Sequence, residues 1–231
     1  MPIEPPSLRS GPWLVTVPAD EATLHGELRL PESASGLVVF AHGNGSSRHS
    51  PRNQRVADTF DAAGLGSLLI DLLTEEEATE RRNVFDLPLL AKRLRAALRW
   101  TADDPRTAPL PIGLFGASTG AAAAIQAAIH EPRVEAIVCR GGRPDLAGDS
   151  LKSLHVPTLF IVGGADREVL RLNEEAMTRL PQGPAHHDLV VVPHATHLFE
   201  EPGALEQVAA AAEEWFLDHL ASAHRRRPRC P

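Results

Sequence analysis

The chain has 231 residues, 43% of them hydrophobic and 23% charged, with a formal net charge of −7 and two cysteines. That length suits one α/β domain around a buried sheet, and the negative balance argues against nucleic acid or an anionic membrane as partner. Two cysteines make no disulfide framework, no apolar run approaches the length of a bilayer span, and no basic-then-apolar leader is read, so a cytoplasmic protein is expected.

Residues 1–11 read as a loose segment, 12–221 as one domain and 222–231 as a basic, disordered tail around Arg225-Arg226-Arg227-Pro228-Arg229. Trp13–Val17 and Thr23–Leu30 alternate with period two about Pro18-Ala19-Asp20, which predicts an opening antiparallel hairpin. Apolar runs follow at Gly36–Ala41, Ser67–Asp71, Ile112–Phe115, Glu135–Cys139, Pro157–Val162 and Asp188–Val192. The later runs are continuous, as expected of central parallel strands buried on both faces. Helical patterns fill the gaps over Pro51–Ala63, Leu87–Thr101, Thr119–His130, Glu168–Leu180 and Gly203–Ala221. This alternation predicts βαβ units and a mostly parallel sheet of eight strands flanked by helices. Cys139 closes an apolar run and is expected in the core; Cys230 is expected free in the tail. The short segment from Arg140 to Pro157 leaves no room for a large cap domain, so Thr74–Asn83 is the expected partial cover of an open site.

Gly116-Ala117-Ser118-Thr119-Gly120 stands between the run ending at Phe115 and the helix that opens at Thr119. A serine at a strand-to-helix turn, with glycine two residues to either side, is the nucleophile-elbow pattern. A glycine-flanked turn serine without chemistry also fits the five residues; the strand–turn–helix context favours the elbow. Serine needs a histidine to take its proton and a carboxylate to orient that histidine. The run Leu159–Val162 leads into Gly163-Gly164-Ala165-Asp166, placing Asp166 past a strand end, where it is the expected carboxylate and also a candidate helix N-cap. The next run ends in Val192-Pro193-His194-Ala195-Thr196-His197. The longer loop before His197 favours it as the base, with His194 in a supporting place. A zinc reading of His186, His187, His194 and His197 lacks a ligand frame. Ala41-His42-Gly43-Asn44-Gly45-Ser46 follows a strand and is placed to complete an oxyanion hole, with the backbone amides of Asn44 and Thr119 as donors and His42 packing the loop.

With these pieces placed, the chain resembles α/β-hydrolases of the dienelactone hydrolase-like group over roughly residues 12 to 221. The resemblance is carried by Ala41–Asn53, Arg140–Ala147 and His197–Gly203. It implies the α/β-hydrolase fold and hydrolysis of esters, thioesters or lactones without cofactor or metal, with Ser118, Asp166 and His197 as triad. Ser118 departs from true dienelactone hydrolases, whose nucleophile is cysteine. Arg48, Arg52, Arg140 and Arg143 follow strands at their C-terminal ends and either hold a substrate carboxylate or phosphate or brace loops through ion pairs. The expected partner is a compact, short-chain ester. Acyl transfer or perhydrolysis on the same triad, or a catalytically silent binding protein, are the other readings.

Overall fold

The computed structural model describes residues 11–183 and 185–226, with side chains through 221. Its sheet is built from β1 (Trp13–Ala19), β2 (Ala22–Arg29), β3 (Leu37–Ala41), β4 (Gly66–Ile70), β5 (Ile112–Ala117), β6 (Val134–Arg140), β7 (Thr158–Gly163) and β8 (His187–Val192). The spatial order is β1-β2-β4-β3-β5-β6-β7-β8. The β1–β2 hairpin pairs antiparallel and joins β4 antiparallel; every other pairing is parallel. Helices α1 (Pro51–Ala62), α2 (Glu75–Thr79), α3 (Arg81–Val84), α4 (Leu87–Asp103), α5 (Thr119–Ala128), α6 (Arg167–Met177) and α7 (Ala204–Arg226) complete the fold. A kinked 3-10 segment, Pro144–Ser153, occupies the stretch between β6 and β7, and no large cap domain stands there. Helix α7 continues past the pattern that ends at Ala221. The expected loose ends at residues 1–10 and 227–231, with Cys230, lie outside the described residues.

Side-chain alternation along each strand feeds two cores. On one face Val39, Leu114, Ile137 and Phe160 meet α4 and the alanines of α5. Ala121, Ala122, Ala123 and Ala124 are all fully buried, so small side chains let this helix sit close under the sheet. On the other face Phe40 and Phe115 meet Phe60 of α1 and Phe216 of α7, with ring centroids 5.0 to 6.0 Å apart. Tilted and edge-on rings at such distances are favourable aromatic contacts. Cys139 is buried in the first core, which pushes its thiol pKa well up.

One strand departs from expectation. Its apolar run reads as a strand buried on both faces, but β8 lies at the sheet edge, where Val191 is exposed and only Val192 is buried. The β5, β6 and β7 strands are buried almost throughout, and their C-terminal ends converge on one rim of the sheet.

Candidate active site

At the end of β5 the chain turns through Ser118, with φ 51° and ψ −120°, directly into α5. This left-handed conformation is strained for any residue with a side chain. It is held from both sides: the Ser118 amide donates to the Arg140 carbonyl at 3.1 Å, and the Arg143 amide donates to the Ser118 carbonyl at 3.2 Å. Glycine is required beside it. A Cβ on Gly120 would stand 2.1 Å from the Ala41 carbonyl oxygen, so any larger residue would drive α5 off β3.

Asp166 stands one tight turn beyond β7 and caps α6, its side chain accepting the Val169 amide at 3.4 Å through Oδ1. Its Oδ2 lies 2.7 Å from His197 Nδ1. The loop after β8 delivers that imidazole. The Thr196 amide donates to Glu201 Oε1 at 3.0 Å, and Phe199 is buried as an anchor. The ring Cε1 of His197 lies 3.5 Å from where a Cβ on Gly141 would stand, so the imidazole rests over the strand end next to the elbow. His194, by contrast, is exposed at φ 62° and forms the turn that precedes this loop.

The loop after β3 closes the third side. Gly43 lies against the elbow: a Cβ there would meet both the Ala117 carbonyl oxygen and Ser118 Cβ at 2.9 Å. The Asn44 amide donates to Thr119 Oγ1 at 3.1 Å, which ties the loop to the first residue of α5. His42 is buried. Its Nδ1 lies 3.0 Å from the Gly43 carbonyl, and its Nε2 accepts the Leu72 amide at 3.2 Å. These partners select the tautomer protonated on Nδ1, and burial pushes the His42 pKa down. A cavity of about 300 Å³ opens beside Asn44 and Thr119, walled by Leu73, Ala78, Val84 and Leu90 and rimmed by Arg48, Thr74 and Glu75.

The wall is anchored. Thr74 and Glu77 form a reciprocal capping box on α2, and the buried Arg93 of α4 donates to Glu77 Oε1 at 2.7 Å. The same guanidinium reaches the Ala19 carbonyl of the hairpin.

The four arginines divide. Arg48 is held by Asp71 through its guanidinium and its amide. Arg52 Nη1 lies 3.2 Å from Glu200 Oε1, and Arg143 forms a two-point pair with Asp145 at 2.8 Å for each contact. Arg140 is buried, and among the described residues no carboxylate is within ion-pair distance of it. No group of three or more His, Cys, Asp or Glu among the described residues is placed to hold a metal ion. None of the described helices is long and apolar enough to cross a membrane.

The model of the dienelactone hydrolase family matches residues 28–222. The chain belongs to that family. Among solved structures, a dienelactone hydrolase from Anabaena variabilis is 50% identical, with a TM-score of 0.86 over 90% of this chain and 97% of that one. The family fold extends to Est1E from Butyrivibrio proteoclasticus, 16% identical, with a TM-score of 0.76 over 90% and 99% of the two chains. Two Mycobacterium tuberculosis proteins, each named "Putative phosphoribosyl transferase", are 57% identical over 208 residues, covering 89% of this chain and 46% of theirs. The chain thus spans about half the length of these curated relatives.

One feature of this family member escapes reading by pattern. The bond from the Asn44 amide to Thr119 Oγ1 links residues 75 apart, and nothing local announces it. The anchored cover does carry a signal, because Thr74-Glu75-Glu76-Glu77 has the spacing of a capping box.

Proposed function

We propose that this chain hydrolyses carboxylic esters, thioesters or lactones of compact substrates through an acyl-enzyme on Ser118. The observation that carries the reading is the 2.7 Å contact between Asp166 Oδ2 and His197 Nδ1, on the sheet rim that also carries the strained Ser118. A carboxylate there fixes the proton on Nδ1 and leaves Nε2 free to accept one. In this reading Ser118 Oγ attacks the acyl carbon while His197 Nε2 takes its proton. The carbonyl oxygen becomes an oxyanion between the amides of Asn44 and Thr119.

The Asn44 amide bonds Thr119 Oγ1 in the resting protein, so the substrate oxygen takes over an amide that is already oriented. Collapse of the tetrahedral species returns the proton from His197 to the leaving alcohol or thiol. Water then repeats the cycle and frees Ser118. Family membership supports a hydrolase. The cavity of about 300 Å³ behind an anchored wall favours short or compact acyl groups over long chains. The transferase in the mycobacterial relatives' name refers to proteins about twice as long; to the half they share with this chain we assign acyl chemistry.

The test is kcat/KM for p-nitrophenyl esters from acetyl to palmitoyl, with Ser118→Ala alongside. Short-chain esters are expected to be preferred, and their turnover is expected to disappear in the variant. A steady rise towards palmitoyl would overturn the compact-substrate claim, and turnover unaffected by Ser118→Ala would overturn the nucleophile.

A further inference from the structure

The cover formed by α2 and α3 is held by polar contacts that converge on one residue. None of the residues of these two helices is buried, and Val84 packs against the core only in part. The Glu77 amide donates to Thr74 Oγ1 at 3.1 Å, and Glu77 Oε2 accepts the Thr74 amide at 3.0 Å. Asn83 Nδ2 donates to the Glu77 carbonyl at 3.0 Å, which ties α3 to α2. Oε1 is left for Arg93 Nη2 of α4, at 2.7 Å. Among the described residues, no other hydrogen bond or ion pair of an α2 or α3 side chain reaches the body of the domain.

The other half of this pair is fixed. The Arg93 side chain is 8% exposed against 26% for Glu77, and its Nη1 donates to the Ala19 carbonyl at the end of β1. The guanidinium therefore joins α4, the hairpin and the cover. A buried cation is costly unless it is paired, so Glu77 is both its counter-charge and its grip on α2. The segment so held faces the candidate site. Leu73, Thr74, Glu75, Ala78 and Val84 line the cavity of about 300 Å³, which Asn44 and Thr119 also line. An acyl chain that starts from a carbonyl at those two amides has the cover as a wall.

We infer that the Glu77–Arg93 pair sets the acyl-length limit of this protein: it positions the α2–α3 cover across the cavity, and without it the cavity admits medium-length acyl chains that the held wall excludes. This rests on the ester-hydrolase reading and names the residues that set its substrate range. Neither side chain lines the cavity, so both are positioning residues.

The measurement is kcat/KM for p-nitrophenyl decanoate divided by that for p-nitrophenyl butanoate, on one preparation with both esters in true solution. This ratio does not depend on the folded fraction, so a weakened variant still reports. For the wild-type protein it should lie well below one. Arg93→Met leaves Glu77 free to turn to water and should raise the ratio about 15–60-fold, because each of two or three newly buried methylenes is worth about fourfold. The gain should fall on KM of the decanoate rather than on kcat. Arg93→Lys keeps the charge without the fork and should give an intermediate ratio. Glu77→Gln, whose one oxygen can serve Arg93 or Thr74 but not both, should move the ratio the same way. The double variant should go no further than Arg93→Met, since two residues of one contact do not add. Glu76→Gln, an exposed carboxylate on the same helix, should leave the ratio unchanged.

A wild-type ratio at or above one overturns the inference, and so does a ratio that stays at the wild-type value in both Arg93→Met and Glu77→Gln; either result leaves the hydrolase standing. If Arg93→Met gives no folded protein, Glu77→Gln decides. If the wild-type protein hydrolyses neither ester, the hydrolase reading fails, and calorimetry with decanoate then decides the cover. Binding at least about 10-fold tighter in Arg93→Met than in the wild type supports it. Equal affinity, or no binding to either, overturns it.

Discussion

Asp166 serves His197 and its own helix at once: Oδ2 lies 2.7 Å from His197 Nδ1, while Oδ1 accepts the Val169 amide that opens α6. The cap fixes the carboxylate, and the fixed carboxylate fixes the imidazole. The two jobs separate by substitution. Asparagine caps a helix about as well as aspartate. Asp166→Asn should therefore keep the thermal midpoint nearly unchanged while lowering kcat by about 10⁴-fold, because an amide favours the wrong imidazole tautomer. Asp166→Ala should lose the same activity and about 1 kcal/mol of stability besides. Paired melting curves and initial rates check both.

The two histidines after β8 should differ sharply. His197→Ala removes the group that meets Asp166 and should abolish ester turnover. His194 is exposed with positive φ, a conformation asparagine tolerates, so His194→Asn should keep activity within a few-fold. Steady-state rates for the two variants decide the matter; loss confined to His194→Asn would reverse the assignment.

Gly43→Ala tests how finely the β3 loop is placed. Its new Cβ would begin 2.9 Å from the Ala117 carbonyl oxygen and from Ser118 Cβ, so the loop must move by a few tenths of an ångström. The Asn44 amide moves with it. The expected result is a loss on the order of 10²-fold in kcat with a small change in melting temperature, since small misplacements cost rate far more than stability.

Stability should fall as the solution is acidified through the histidine range. Burial lowers the pKa of His42 in the folded protein, so the unfolded chain binds more protons once pH falls below the ordinary histidine value of about 6.5. Stability is therefore complete above that value and is lost on the way down towards the folded pKa. His187 is shifted in the same direction by burial and by His186 and His155. His42→Leu should be less stable at neutral pH, because the Leu72 amide loses its acceptor, and its melting temperature should depend less on pH between about 6.5 and 5. Melting curves for both proteins across that range measure the difference.

Much of this architecture is legible in the chain because its signals are local. The β5 run, the elbow and α5 are contiguous, and each strand that carries a site residue ends within a few residues of it. What is not legible is non-local or too short for a period. Helices α2 and α3 have five and four residues, less than the window in which an amphipathic pattern forms. The apolar run of β8 cannot declare that it lies at an edge, because edge position depends on which strands follow. The arginines are the clearest case. Arg48 finds Asp71 23 residues on and Arg52 finds Glu200 148 residues on, so which guanidinium is left unmatched emerges only from the fold.

The central claim, that Ser118 is a nucleophile activated by His197 and Asp166, is tested most directly by covalent capture. The protein is treated with a fluorophosphonate, and intact mass and peptide mapping locate the adduct. One adduct is expected, on Ser118, absent from Ser118→Ala and much slower to form in His197→Ala. No adduct on the wild-type protein, or labelling that persists in Ser118→Ala, would contradict it.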